Sequence, residues 1–134
     1  MLKKTIAYND YNGVERNEDF YFNLSKAELI EMEMGITGGF SEMIRKILKE
    51  QDTPALFKIF KELLLKSYGE KSDDGKRFIK SEEISRSFEQ TDAYSTLLME
   101  LVSDAEKASE FFNAIIPADL TESISKNESP IPIP

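Results

Sequence analysis

Residues 53–68 read TPALFKIFKELLLKSY, and this stretch decides the fold. Thr53 offers an N-cap hydroxyl, and Pro54 brings the fixed φ and missing N–H that suit the first helical position. Behind them Leu56, Phe57, Ile59, Phe60, Leu63, Leu64, Leu65 and Tyr68 leave only Lys58, Lys61, Glu62 and Lys66 for solvent. That apolar arc is wider than a one-sided amphipathic stripe needs, so the spacing predicts a central helix touched on several sides. Gly69 is expected to end it at a C′ position with positive φ, and Glu70 to Arg77, with Asp74-Gly75, to form a polar turn. The chain then resumes at Phe78 and Ile79.

Helices continue on the C-terminal side. Ser81 is an N-cap ahead of Ile84 and Phe88, and Thr91 caps Tyr94, Leu97, Leu98, Leu101 and Val102, which keep the i, i+3, i+4, i+7, i+8 spacing of one helical face. Ser103-Asp104-Ala105-Glu106 reads as a capping box before Ala108, Phe111, Phe112, Ile115 and Ile116, and Pro117 ends that helix. Ala118 to Pro134 is polar with isolated isoleucines and closes on Pro-Ile-Pro-Ile-Pro, the composition of a disordered or extended tail.

On the N-terminal side, Ser25-Lys26-Ala27-Glu28 is a capping box for a short helix carrying Leu29, Ile30, Met32 and Met34, broken by Gly35, Gly38 and Gly39. Phe40, Met43, Ile44, Ile47 and Leu48 then predict an amphipathic helix leading into the central one. Before all of these, Leu2 to Tyr8 alternate, with Leu2, Ile6 and Tyr8 on one side and Lys3, Thr5 and Ala7 on the other. Asn9-Asp10-Tyr11-Asn12-Gly13 supplies a turn, and Val14 to Phe22 return with Val14, Phe20 and Phe22 on a face that Arg16 and Glu18 interrupt. A lone two-stranded hairpin is marginal in water, so this one is expected to pack on the helices through Ile6, Tyr8, Phe20 and Phe22, or to pair with another chain.

Composition removes several function classes. The 134 residues include no cysteine and no histidine, which excludes a disulfide scaffold, a zinc-thiolate site, a thiol nucleophile and every arrangement built on a histidine base. A formal charge of −8 repels phosphate backbones and anionic lipid, so neither nucleic acid nor a membrane surface is an expected partner; the acidity favours solubility and a basic partner. No apolar run approaches the roughly 20 residues of a membrane span. The expected location is intracellular and soluble.

Candidate chemistry fails on spacing. Gly35 to Ser41 lacks the lysine of a phosphate-binding loop. Helix, acidic turn, helix around Asp73-Asp74-Gly75 suggests an EF-hand, but placing Gly75 at loop position 6 puts Ser81 where a bidentate glutamate belongs. Glu31 and Glu33, or Glu82 and Glu83, are pairs of carboxylates with no sign of a desolvated cleft. No enzyme, no cofactor and no metal site is expected.

Several phrases of the chain have a family likeness. Asp10-Tyr11-Asn12-Gly13-Val14-Glu15-Arg16 with Glu18-Asp19-Phe20-Tyr21-Phe22-Asn23-Leu24, then Tyr68-Gly69-Glu70-Lys71-Ser72, Asp74 to Ser81, and Phe112-Asn113-Ala114-Ile115-Ile116-Pro117, resemble the tail assembly chaperones of long-tailed bacteriophages, over about Leu2 to Leu120. The resemblance implies a non-enzymatic protein of the host cytoplasm, absent from the finished virion. Its partners would be the tape measure protein, kept soluble during assembly, and the major tail tube protein. Apart from the resemblance, the exposed hairpin edge gives a reason to expect self-association as a homo-oligomer. The resemblance also implies that some ribosomes change frame near the gene's end, so that 118–134 would lead into an added domain. The alternative is a structural tail or connector protein retained in the virion. The fold class expected is mainly α (α+β), with an N-terminal two-stranded β-hairpin packed on a bundle of about five or six short helices. One domain would span 1–117, with a flexible tail over 118–134. Tyr8, Tyr11, Phe20 and Phe22 are the candidate partner-binding residues.

Overall fold

The computed structural model describes residues 1–35, 38, 39, 42 and 49–116. The amphipathic helix expected from Phe40 to Leu48 lies outside the described residues apart from Glu42, and so does the expected tail over 118–134. In chain order the elements are β1 (Leu2–Asn9), β2 (Glu15–Phe22), α1 (Lys26–Met34), α2 (Thr53–Ser67), β3 (Tyr68–Lys71), β4 (Phe78–Ile79), α3 (Glu82–Glu89), α4 (Asp92–Ser103) and α5 (Ala105–Ile115). The mainly helical architecture with an N-terminal hairpin packed on it is the one the sequence predicts.

The hairpin pairs without a break from Leu2 opposite Phe22 to Asn9 opposite Glu15. Its turn is organised by Asp10, whose carboxylate accepts the N–H groups of Asn12 and Val14, both at 2.9 Å. Gly13 closes the turn at φ 79°, a left-handed conformation that glycine adopts without a steric penalty. Alternation then sorts the strands. Ile6, Phe20 and Phe22 enter the core, while Lys3, Thr5, Ala7, Asn17 and Asp19 remain exposed on the opposite face.

The sheet is larger than the two strands expected. Its order is β1-β2-β3-β4, because Phe22 pairs with Tyr68 and Tyr21 with Gly69, and β3 then pairs with β4. The expected positive φ at Gly69 is therefore corrected. The helix ends at Ser67 with Tyr68 an extended C-cap at φ −69° and ψ 140°, and Gly69 after it is a buried strand residue rather than a left-handed one. Its lack of a side chain matters for space: a Cβ there would stand 2.6 Å from Cε2 of Phe78 and 2.9 Å from the Ile79 carbonyl oxygen. Two short strands of four and two residues carry too little alternation to be distinguished from a turn.

Caps decide where the helices begin. Ser25 and Glu28 form the reciprocal capping box at α1, and Ser81 and Thr91 accept the N–H groups of Ile84 and Tyr94 as N-caps of α3 and α4. Two caps differ from the sequence reading. Asp52 rather than Thr53 caps α2 by accepting from Ala55 N–H, and Asp104 rather than Ser103 caps α5 by accepting from Glu106 and Lys107. In each place a carboxylate stands next to a hydroxyl, and adjacent competent caps differ by one residue of helix.

The core gathers around the base of the hairpin. Phe22 is fully buried, with ring centroids of Tyr68, Phe88 and Phe111 at 5.6, 5.7 and 5.2 Å. Tyr68 and Phe88 stack at 4.2 Å. Leu24, Leu64, Leu97 and Ile115 are buried to a similar depth. The central role expected of residues 53–68 is thus only part of the design: α2 buries Ile59, Leu63, Leu64 and Ser67, whereas Phe57 is 42% exposed.

Leu64→Ala is expected to destabilise the fold by about 2–5 kcal/mol, and Gly69→Ala by about 1–3 kcal/mol because the backbone of β4 must shift. Phe57→Ala should stay within about 0.5 kcal/mol. Denaturant melts of the three variants check the ranking, which fails if Phe57→Ala is the most damaging.

Candidate protein-interaction surface

Beyond its buried base the hairpin projects as an arm. From Ala7 to Asn17 every residue is exposed except Tyr8 and Asp10, which are half-buried. A projecting two-stranded arm has too little apolar cover to hold itself, and here side-chain bonds supply the order. The Tyr8 hydroxyl donates to Glu18 Oε1 across the strands. Arg16 donates through Nε to Asp10 Oδ2 at 2.7 Å and through Nη1 to Glu18 Oε2 at 3.1 Å. The interruption of the apolar face by Arg16 and Glu18 is therefore a bridge that links both strands to the turn.

These bonds move the protonation equilibria. The Arg16 guanidinium, followed by the Val14 and Asn12 amides, holds the Asp10 carboxyl below its ordinary value. The Tyr8 hydroxyl, and then Arg16, does the same for Glu18, and the bond to Glu18 in turn raises the Tyr8 phenol.

The four candidate contact residues separate into two pairs. Phe20 and Phe22 are 8% and 0% exposed and belong to the core, where Phe20 also meets the rings of Tyr8 and Phe88 at 6.2 and 5.4 Å. Tyr11, at the turn, is 81% exposed, and Tyr8 is half-buried on the arm. The turn also exposes Val14, which strand parity alone assigned to the inner face. What parity cannot supply is where the core stops beneath the arm. Ile30 and Met34, one helical turn apart on α1, are further exposed apolar side chains that helical spacing makes visible.

On the outer side of the arm, backbone groups have no strand partner among the described residues. Asp10 N–H donates to the Val14 carbonyl, and Asn23 N–H donates to the Ser67 carbonyl on the side of β3. Antiparallel ladders alternate, so the odd-numbered residues of β2 turn their N–H and C=O groups away from β1. Tyr21 meets Gly69 there, but no described strand pairs with β2 from Glu15 to Phe20 on that side.

Elsewhere the polar groups serve the fold. Asp74, considered above as a calcium ligand, accepts from Ser72 Oγ at 2.7 Å and Lys76 N–H at 3.0 Å within the β3–β4 turn. Among the described residues no group of three or more acidic side chains is placed to hold a metal ion. A cleft of about 300 Å³ beside α2 contains Lys80 and Glu28, but Lys80 is occupied there, donating to Glu28 Oε2 at 2.7 Å and to the Asn23 carbonyl at 2.6 Å. No described helix is long and apolar enough to cross a membrane.

A family model described as phage tail assembly chaperone matches residues 1–132. No curated protein and no solved structure matches the chain significantly.

The arm's bond network is expected to have a pH window. Asp10 and Glu18 bind protons less readily when the arm is closed, so their contribution is present above the ordinary carboxylate range and is lost as pH falls through the lowered values. The raised phenol of Tyr8 gives the opposite limit, with its contribution lost as pH rises through that raised value. An NMR pH titration of the Tyr8 ring and the Val14 amide checks both limits. Coincident changes centred on ordinary carboxylate and phenol values would contradict the network.

Proposed function

The chain belongs to the phage tail assembly chaperone family, a non-enzymatic kind of protein, and on that premise we propose that it binds the tape measure protein and helps recruit tail-tube subunits. Acting in the host cytoplasm, it would leave before the virion is complete. The family match over residues 1–132 carries this reading. The projecting arm supports it with a suitable surface: an exposed ring at Tyr11, an exposed Val14 and a strand edge that no described strand covers, all anchored on a packed base. A long helical client needs such a holder until its partners arrive, because its apolar faces are otherwise open to aggregation. Tyr8 and Tyr11 are the ring contacts proposed for the client. Phe20 and Phe22 act indirectly, by seating the arm.

Co-expression with the tape measure protein tests the proposal. The client is expected to be soluble with this chain and insoluble without it. Tyr11→Ala should weaken the pair while leaving the melting temperature unchanged, since an 81% exposed ring contributes little to the core. Purified virions should lack the chain; its presence as an abundant component would favour the structural tail or connector role instead.

A further inference from the structure

Among the described residues no strand pairs with the outer side of β2 from Glu15 to Phe20, and this edge has a chemistry of its own. Its outward backbone groups belong to Glu15, Asn17 and Asp19, all exposed, and they lie along β2 beyond Tyr21, where its pairing with β3 ends. Strand addition to such an edge is a recurring mode of peptide recognition, in which main-chain bonds supply affinity and alternate side chains supply selectivity. Nothing in the arm blocks it. The pairing of β1 and β2 is continuous, β2 contains no proline, and the bond network of Tyr8, Glu18, Arg16 and Asp10 orders the strand in advance.

Charge selects the occupant. From Ala7 to Asp19 the arm carries Asp10, Glu15, Glu18 and Asp19 against Arg16 alone. A second copy of the same edge is disfavoured: antiparallel pairing centred on Asn17 would set Glu15 directly opposite Asp19 at both ends. A strand with cationic side chains at alternate positions meets the reverse situation, with an ammonium or guanidinium beside Glu15 and another beside Asp19, on either side of Asn17. Taking the client role proposed above as given, we infer that the outer edge of β2 receives, as an added antiparallel strand, an extended client segment bearing lysine or arginine at alternate positions.

The test uses the full chain and two peptides of about ten residues, long enough to span the arm. One alternates lysine with threonine, and the other has glutamate in place of lysine. The lysine peptide is expected to slow amide hydrogen exchange at Glu15, Asn17 and Asp19, but not at Arg16 or Glu18, whose N–H groups face β1. The glutamate peptide should leave all five unchanged. Glu15→Lys should weaken the lysine peptide about tenfold, a change that reverses one cross-strand charge contact. Asn17→Pro removes an outward N–H without touching the ladder to β1, so it should abolish protection with little change in melting temperature.

Unchanged exchange at the three amides, or equal protection by both peptides, would overturn the inference. Protection that grows with protein concentration in the absence of peptide would also overturn it, by assigning the edge to a second copy. Client solubility is scored separately. If Asn17→Pro still keeps the tape measure protein soluble, the edge is not its docking site although the chaperone reading stands. A wild-type chain that protects the three amides with the lysine peptide but leaves the client insoluble would support the edge and remove that reading.

Discussion

The structure depends on the seating of one strand end. A hairpin of this size does not persist alone in water, so its base must become part of another core. Phe22 does this by burying its whole side chain among Tyr68, Phe88 and Phe111, three rings contributed by β3, α3 and α5. The next two residues lock the arrangement. Asn23 N–H donates to the Ser67 carbonyl at 2.8 Å, Leu24 N–H to the Ile115 carbonyl at 2.9 Å, and the Asn23 carbonyl accepts from Lys80. Backbone groups that would be left unpaired as the strand enters the helical layer are satisfied by three separate segments, which is why the chain can cross that boundary.

Charges reinforce this joint without creating it. Lys80 connects the end of β2 to Glu28 at the start of α1, and Glu100 faces both Lys4 of β1 and Lys107 of α5, at 3.6 and 3.3 Å. Pairs this close to solvent contribute little individually. Their effect is on arrangement: Lys80–Glu28 and Lys4–Glu100 link elements far apart in sequence, and Glu100–Lys107 ties the two consecutive helices α4 and α5. The same acidic excess that leaves carboxylates for these pairs also leaves the arm negative, so the surface property and the packing of the base have a common origin in composition.

Placing the aromatic residues at one end of β2 has a mechanical consequence. Phe20 and Phe22 pack, Glu18 and Arg16 bridge, and Glu15 and Asn17 face water, so burial declines steadily toward the turn. An arm built in this way is fixed at its root and accessible at its tip. Among the described residues its outer edge is uncovered because pairing with β3 spans only Tyr21 and Phe22, and β3 pairs with β4 on its far side.

Much of this was legible in the residues. Caps at Ser25, Ser81 and Thr91, the i, i+3, i+4 series of α4 and α5, and the alternation of β1 and β2 are local signals, because a helix or strand places neighbours by its own period. The inward parity of Phe20 and Phe22 was readable for the same reason. Their separation from Tyr11 as core against surface was not, because all four candidate residues are large and aromatic, and burial depends on what lies across the sheet. Gly69 illustrates the limit most clearly. Read along the chain it suits a helix terminus, but its strand conformation depends on Tyr21 on one side and on the Phe78 ring and Ile79 carbonyl on the other. The sequence by itself determined the periods, the caps and the absence of histidine and cysteine chemistry. Tertiary structure alone decided the third and fourth strands and the open edge of β2, because strand pairing and steric exclusion are interactions between residues that local periodicity does not bring together.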